Sequence, residues 1–295
     1  MRTFCFGRFL IDLPQEAVVK AGYTFARNKV TTIRDVDDKQ FADMVRARKS
    51  MLSMKPHRGG GTTLVRSTEL DDRSVLLTSW SSETSQLIHR QDLYVFLPEH
   101  RVAYHFQGES DEQQLDRAIE YYGSLRRSVQ FRRTNEVPQR PGFCIDSGLI
   151  TRSKLNTEEF SVGVRMASHP GAAFTLTSYV TGKPDADLLS RASSLPAEYQ
   201  QVDARMVKLR RGERRIGPIR GQEILGRAQQ DATRAYAFLW ESQGESKSLA
   251  APFLSLEMTT DKRAPQETPP FQGDEDALAF WDRLLDSLRL RPGAI

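Results

Sequence analysis

Residues 5–14, which read Cys-Phe-Gly-Arg-Phe-Leu-Ile-Asp-Leu-Pro, decide the fold. They belong to a short apolar run over residues 3–13 that stops at a proline, and such a run favours a buried β-strand. Residues 144–150, Cys-Ile-Asp-Ser-Gly-Leu-Ile, align with residues 5–11 without a gap and predict a second buried strand over residues 143–151. The two halves of the chain therefore begin with similar sequences.

The ends of the two halves also match. Residues 128–132, Ser-Val-Gln-Phe-Arg, correspond to residues 287–291, Ser-Leu-Arg-Leu-Arg, and in the same frame Tyr122 meets Trp281. Shared helical periodicity accounts for part of this match, so the repeat is suggestive. The repeated plan predicts an α+β fold with two similar domains, each an antiparallel sheet with helices packed on one face.

A polar stretch with two prolines and no apolar periodicity separates the halves, and it is typical of a linker. We place the linker at residues 133–141, between an N-terminal domain over residues 1–132 and a C-terminal domain over residues 142–295. Two domains are also the ordinary expectation for 295 residues.

Apolar residues at spacings of three and four predict helices, and apolar runs separated by short polar turns predict antiparallel strands. The predicted helices cover residues 37–52, 110–129, 184–195 and 274–288. Beyond the two opening stretches, the predicted strands cover residues 22–33, 62–67, 74–81, 85–97, 101–106, 160–167, 172–180, 205–209, 220–229, 234–241 and 249–259.

Composition excludes several classes of protein. The 42 basic residues nearly balance the 38 acidic ones, and the net charge of +4 is not the concentrated basic footprint of a nucleic-acid-binding protein. No run approaches the ~20 apolar residues of a membrane span, so no integral span is expected. The first residues lack the apolar core of a secretory signal, which leaves a cytoplasmic chain or an exported chain without its leader.

Searches for catalytic and metal-binding patterns are negative. Asp146-Ser147-Gly148 lacks the leading glycine of the G-x-S-x-G turn of serine hydrolases. The five histidines show none of the spacings of a metal site, and residues 59–61, three glycines, lack the lysine of a phosphate-binding loop. We expect no catalytic residue, no cofactor and no metal, and therefore no enzyme.

The only two cysteines are Cys5 and Cys144, too few for a disulfide scaffold. They occupy equivalent positions of the proposed repeat, and two thiols in the cores of separate domains are too far apart to bridge. We expect buried free thiols, with a disulfide as the alternative. Their apolar surroundings argue against a catalytic cysteine.

Two polar stretches are candidates for binding a protein partner. The basic run over residues 208–220 is interrupted by glycines and a proline, which predicts a loop or hairpin tip; it is either a solvated turn or a patch whose arginine forks dock on an acidic surface. It lacks the aromatic residues that stack on nucleic-acid bases. The second stretch is the loop around residues 57–61. The candidate residues are His57, Arg58, Arg210, Arg211, Arg214 and Arg215.

Residues 5–14 resemble the opening of the N-terminal domain of immunity proteins that neutralise type VI secretion lipase effectors. Residues 142–150, Gly-Phe-Cys-Ile-Asp-Ser-Gly-Leu-Ile, resemble the opening of their C-terminal domain, and the resemblance covers nearly the whole chain. It implies a two-domain clamp that binds a cognate phospholipase effector and blocks substrate access or lid opening. It also implies a periplasmic location, reached through an export signal or a lipoprotein leader that could tether the protein to a membrane.

Two other readings stay open at the level of sequence. A periplasmic protein that binds a lipid or small ligand would need a deep apolar pocket of roughly 300–1,000 Å³. A hydrolase with an unfamiliar constellation would need a nucleophile beside a histidine or carboxylate with a perturbed pKa.

Overall fold

The computed structural model describes residues 1–151, 157–194, 206–230, 233–260 and 269–295. The chain forms two compact units: the first unit is Met1–Ala21 with Glu158–Ile295, and the second unit is Gly22–Thr157. Every paired strand whose register is known is antiparallel, and helices pack on the sheets. The predicted α+β class is confirmed.

Four α-helices lie within the described residues: α1 (Asp38–Met54), α2 (Leu115–Ser128), α3 (Leu188–Ser193) and α4 (Asp274–Ser287). Each falls on a predicted helix, although residue 195, the predicted end of the third, lies outside the described residues. α1 begins at the predicted position, because the Asp37 carboxylate accepts from the Gln40 backbone N–H at 2.7 Å and the Gln40 side chain accepts from the Asp37 N–H at 2.9 Å.

Most strands fall on predicted ones. Residues 22–33, however, were predicted as one strand and contain parts of two, because the chain turns at Ala26 and Arg27, which both have positive φ. Residue 205, the predicted start of another strand, lies outside the described residues. In chain order the strands are β1 (Arg2–Phe6), β2 (Phe9–Leu13), β3 (Val18–Phe25), β4 (Asn28–Arg34), β5 (Leu64–Asp71), β6 (Ser74–Trp80), β7 (Ile88–Leu97), β8 (Val102–Asp111), β9 (Val129–Phe131), β10 (Phe143–Ile145), β11 (Gly148–Ile150), β12 (Glu158–Arg165), β13 (Ala172–Tyr179), β14 (Val207–Ile216), β15 (Ile219–Gln230), β16 (Thr233–Ser242), β17 (Phe253–Thr260) and β18 (Arg289–Leu290).

The sheet of the second unit runs in the order β3-β4-β8-β7-β6-β5. α1 covers one face, where Phe41 stacks on Phe96 with ring centroids 4.9 Å apart and Ala103 lies in the same apolar cluster. Side chains alternate along β8, so Gly108 lies on the opposite face, and a Cβ there would stand 2.7 Å from the Tyr122 hydroxyl of α2. The sheet of the second unit therefore carries one helix on each face.

The sheet of the first unit includes β14-β15-β16-β17-β13-β12 in that order. α4 covers the face of β16 that buries Phe238, and Trp281 packs edge-on against this ring at 5.7 Å. α3 lies on the other face, where the Leu189 N–H donates to the Gln222 side chain of β15 at 2.9 Å. Both faces of this sheet are therefore also partly covered, whereas we predicted helices on only one face of each sheet.

Each opening stretch is a tight hairpin and not the single strand that we predicted. β1 pairs with β2 up to Phe6↔Phe9, and β10 pairs with β11 up to Ile145↔Gly148. The chain reverses at residues with positive φ, Gly7 at 55° and Ser147 at 51°. The prediction was wrong because a two-residue reversal inside an apolar run leaves little trace in the hydrophobic pattern.

Each hairpin joins the unit built mostly from the other half of the chain. β18 pairs with β2 in the first unit, and β9 pairs with β11 in the second. The two registers are equivalent, since Leu10 faces Arg289 in one unit and Leu149 faces Gln130 in the other. The compact units thus follow a different partition from residues 1–132 and 142–295, which stay a prediction about domains along the sequence.

The cysteines do not carry free thiols. Cys5 and Cys144 are both buried, as predicted, but both are disulfide-bonded. The expectation of free thiols was wrong because it assumed that the two cysteines are too far apart to bridge.

Candidate partner-binding surfaces

The nearest approach to a catalytic pair is Asp92 with His105 in the second unit. His105 Nε2 lies 2.8 Å from one oxygen of the fully buried Asp92 carboxylate, and Arg48 of α1 donates to the other oxygen at 2.8 Å. Burial acts to raise the pKa of Asp92, but the hydrogen bonds from His105 and Arg48 outweigh it and lower the pKa. The cluster satisfies a buried charge beneath α1 and presents no nucleophile in the contacts described.

The described residues hold no group of three or more His, Cys, Asp or Glu side chains that could bind a metal. A surface cavity of about 660 Å³ in the second unit is lined by charged residues as well as by Leu70 and Ile119. Its walls include the ion pair of Arg126 with Asp71 at 2.9 Å. This lining differs from the largely apolar pocket that a lipid-binding protein needs.

The arginine stretch lies in β14 and not in the predicted loop or hairpin tip. β14 is an edge strand that pairs with β15 from Val207↔Arg227 to Ile216↔Ile219, and only the turn after Ile216 is a loop. Charged side chains on an edge strand discourage pairing with another chain. The prediction was wrong because glycine and arginine are tolerated on an exposed edge strand.

Two of the four candidate arginines face α4. Arg210 contacts Asp282 with both terminal nitrogens, at 2.5 and 3.1 Å, and its Nε lies 2.5 Å from the buried Glu223 carboxylate. Arg214 reaches Asp286 at 2.6 Å. Hydrogen bonding to Asp282 raises the pKa of Arg210. These two arginines hold α4 against the edge of the sheet.

The other two candidate arginines point away from α4. Arg211 and Arg215 are exposed, and Arg211 donates to the Ser193 hydroxyl at the end of α3 at 3.2 Å. Period-two alternation in β14 therefore divides the predicted patch into a bracing pair and an exposed pair. The alternation is visible in the sequence. Which arginines are engaged depends on the carboxylates of α4, which lie about 70 residues further along the chain.

The loop after α1 is held by the ring of His57. Its Nε2 lies 2.8 Å from the Ser85 carbonyl oxygen, which can only accept, so Nε2 carries the proton, and Nδ1 accepts from the Gly59 N–H at 3.2 Å. The ring stacks on Trp80 with centroids 4.8 Å apart. His57 is therefore half-buried and positions the loop, whereas Arg58 beside it is exposed.

Sequence reasoning missed the second loop at this place, residues 81–87. The Arg58 N–H donates to the Glu83 carbonyl at 2.8 Å, and Lys55 and Glu83 form an ion pair at 3.3 Å. Trp80 lies between His57 and His89, with its ring 4.0 Å from that of His89. No local pattern announces these contacts, because the two loops are separated by the whole of β5 and β6.

Several solved structures share this fold. The apo structure of the immunity protein TplEi of the T6SS (type VI secretion system) from Pseudomonas aeruginosa is 33% identical, with a TM-score of 0.90 over 99% of this chain and 97% of that chain. The structure of the Tle4–Tli4 complex matches at 32% identity and a TM-score of 0.91, again over 99% and 97%. TplEi complexed with an "L" peptide matches at 32% and 0.85, over 99% and 98%. No curated protein matches the chain.

The fold and these likenesses define an immunity protein of the type VI secretion system. Two family models cover the chain almost completely: the N-terminal domain of Tle cognate immunity protein 4 over residues 2–139 and its C-terminal domain over residues 136–293. The chain belongs to the Tle cognate immunity protein 4 family. The resemblance seen in the sequence is confirmed, and this family membership makes the chain a binding protein and not an enzyme.

Among the described residues, no helix is both long and apolar enough to cross a membrane.

Proposed function

We propose that this chain binds a cognate lipase effector of the type VI secretion system and inhibits it by forming a tight complex. The observation that supports this function best is the match of 99% of the chain, at a TM-score of 0.91, to the structure of a Tle4–Tli4 complex. The membership of both halves in one immunity family supports the same conclusion. A lipid-binding function is not favoured, because the large cavity is lined by charged residues.

Inhibition requires that the bound chain prevents lipid from reaching the effector's active site. We propose that both sequence domains, residues 1–132 and 142–295, contact the effector as a clamp. The two family models meet at residues 136–139, inside the predicted linker, which supports this division. Two linked contacts raise affinity through effective concentration when both can form at once, and a stable complex of this kind buries about 1,600 Å² in total.

The contact residues on the predicted list separate by their surroundings. Arg58, Arg211 and Arg215 are exposed and suit carboxylates on a partner. Arg210 and Arg214 are engaged with α4, and His57 is engaged with its own loop. We propose that the first three touch the effector and that the other three position them.

We place the complex in the periplasm, because a lipase effector delivered by a rival cell must be met where it reaches membrane phospholipid. The test of compartment is fractionation of the native host, with the chain detected by antibody. Recovery in the periplasmic or envelope fraction supports this location, and recovery in the cytoplasm contradicts it.

The function is tested with the type VI lipase effector from the same genome, purified and mixed with this chain. We expect co-elution of the two proteins and loss of phospholipid hydrolysis. An unrelated immunity protein of similar size serves as the control. An effector that stays active and elutes alone would contradict the proposal.

A further inference from the structure

The exposed large apolar side chains of the second unit lie in three neighbouring segments of its chain. Among the described residues of this unit, all five such side chains belong to these segments: Met51, Met54, Val65, Leu87 and Ile88. Their exposed fractions run from 39% to 74%. Scattered single apolar residues need no explanation, but a set gathered in one place marks an interaction surface.

Backbone hydrogen bonds bring the three segments to one end of the sheet. The Thr63 N–H donates to the Lys55 carbonyl at 2.8 Å, which ties the end of α1 to the start of β5. The Trp80 N–H donates to the Thr63 carbonyl at 2.9 Å, and the Ser81 N–H donates to the Ile88 carbonyl at 3.0 Å. We call this end of the second unit, residues 51–65 and 80–88, the apolar tip.

One of the five side chains is displayed by a β-bulge. Leu64 pairs with Ser79 and Arg66 pairs with Thr78, so Val65 is the extra residue of β5. A bulge re-aims the side chain that it carries. Val65 is 41% exposed as a result. The two residues before it in the chain are less exposed, since Leu64 is half-buried and Thr63 is buried.

Contacts within the second unit hold the loop of the tip. His57 uses both ring nitrogens within its own unit, on the Ser85 carbonyl and the Gly59 N–H, and stacks on Trp80. A surface that is already ordered loses less conformational entropy on binding. These contacts favour a preformed binding surface over a flexible loop.

The charges at the tip define what kind of partner fits. Lys55 is paired with Glu83 at 3.3 Å, and Arg66, which directly follows the tip in the chain, is paired with Asp116 at 3.4 Å. In the part of the chain that the structure describes, no such ionic partner faces the exposed Arg58. The matching surface is apolar and has a carboxylate at its margin.

We propose that the apolar tip docks on an apolar surface of the lipase effector, with Arg58 pairing to an effector carboxylate beside it. This inference rests on the proposed function, which supplies the partner. An enzyme that takes up lipid exposes apolar surface around the entrance to its acyl-chain site, and that chemistry complements the tip. A lipid bilayer fits less well, because membrane-binding surfaces carry several cations, whereas here Lys55 and Arg66 are neutralised by carboxylates.

The experiment measures the affinity of the full-length chain for the purified effector by calorimetry. The variant Met54→Ser with Leu87→Ser removes the two most exposed apolar side chains of the tip. We expect the Kd to rise about 100-fold, because the variant removes two apolar side chains from the interface. Val18→Ser is the matched control, because Val18 is 71% exposed and lies in the first unit, and we expect it to bind like the wild type.

A second variant tests the charge. Arg58→Glu should weaken binding about tenfold, with an effect that shrinks as salt is added. Unchanged melting temperatures of all variants show that the fold is intact.

The outcomes separate the two proposals. If the wild-type chain binds the effector and the double serine variant binds equally well, the tip inference is overturned and the proposed function stands. If the wild type does not bind the effector at all, both fall. A wild-type dimer that the double serine variant dissociates without loss of effector affinity would assign the tip to a second copy. Loss of binding to phosphatidylethanolamine–phosphatidylglycerol vesicles without loss of effector affinity would assign it to a membrane, and either result overturns the inference.

Discussion

The two units contain the same helix–strand–hairpin module but hold its turn in different ways. In the second unit, α2 leads into β9, which pairs with the hairpin β10–β11; in the first unit, α4 leads into β18, which pairs with the hairpin β1–β2. Phe131 faces Gly148 in one module, and Leu290 faces Phe9 in the other. The two modules therefore share one strand register.

The turns differ in their electrostatics. In the first unit Arg8 occupies the turn and makes two contacts with the buried Glu158 carboxylate, at 2.7 and 2.6 Å. In the second unit the equivalent Ser147 has no charge, and the buried Arg132 reaches over the turn to the carbonyl oxygens of Ile145 at 3.0 Å and Gly148 at 3.3 Å. Arg8 also donates to the Ala294 carbonyl oxygen, so the buried ion pair is what distinguishes the first turn. The same hairpin is thus held in one unit with a buried ion pair and in the other by hydrogen bonds to carbonyl oxygens.

Breaking the ion pair should have the largest effect. Arg8→Met leaves the Glu158 carboxylate buried without its partner, and burial already raises the pKa of this group. We expect a loss of about 3–5 kcal/mol in the free energy of unfolding, measured by urea denaturation.

The control is the double variant Arg8→Met with Glu158→Met, which removes both charges and should recover most of that loss. If Arg8→Met alone were neutral, the ion pair would not hold the turn of the first unit.

The corresponding change in the second unit should cost less. Arg132→Met leaves carbonyl groups without a donor but leaves no fully buried charge without a partner. We therefore expect a loss of about 1–3 kcal/mol in the free energy of unfolding. The same denaturation experiment checks it. A loss of stability as large as that of Arg8→Met would contradict the claim that the two turns are stabilised differently.

The helices of the two modules are braced by ion pairs that can also be compared. Arg210 holds α4 through Asp282 and Glu223, and Arg126 holds α2 through Asp71 at 2.9 Å. We expect Arg210→Met to cost about 1–2 kcal/mol, reduced from the buried-pair value because the side chain is one-third exposed.

Arg211→Met is the matched control in the same strand, because its side chain is exposed on the opposite face. It should leave the free energy of unfolding unchanged within about 0.5 kcal/mol. A stability loss at Arg211 equal to that at Arg210 would contradict the division of the arginine patch.

The smallest effect concerns pH. Burial lowers the pKa of His89 in the second unit and of His169 in the first below the usual 6.5, against the opposing pull of Glu112 and of Asp276 respectively. The unfolded chain therefore binds more protons just below pH 6.5, and stability should be full above that pH and fall as pH drops below it.

His89 is almost fully buried and His169 is half-buried, so His89→Gln should flatten this fall more than His169→Gln. Urea denaturation at pH 7 and pH 5.5 measures the difference. Equal pH dependence of wild type and His89→Gln would show that this imidazole is not the group responsible.

The fold class, the internal repeat and most helices and strands could be predicted from the sequence, because they follow from local patterns. Asp37 and Gln40 form the capping box at a predicted helix start, and the match of residues 128–132 with residues 287–291 became an equivalent register in the two modules. The family resemblance rested on the hairpin sequences, which are local as well.

What the sequence could not supply were the partners that lie far apart in the chain. Arg210 and Arg211 are neighbours in sequence, but only the position of Asp282 on α4 assigns them different roles. His57 is predicted as a partner contact, and the sequence does not show that its ring also bonds to the Ser85 carbonyl. The pairing of β2 with β18 likewise joins segments that lie far apart in the chain.

The most direct test of the central claim is a titration of the purified lipase effector with this chain while phospholipid hydrolysis is recorded. We expect activity to fall linearly and to reach the background at an equimolar amount of the chain, as a tight protein inhibitor requires. Hydrolysis that continues undiminished at a large molar excess would contradict the assignment of this chain as the inhibitor of that effector.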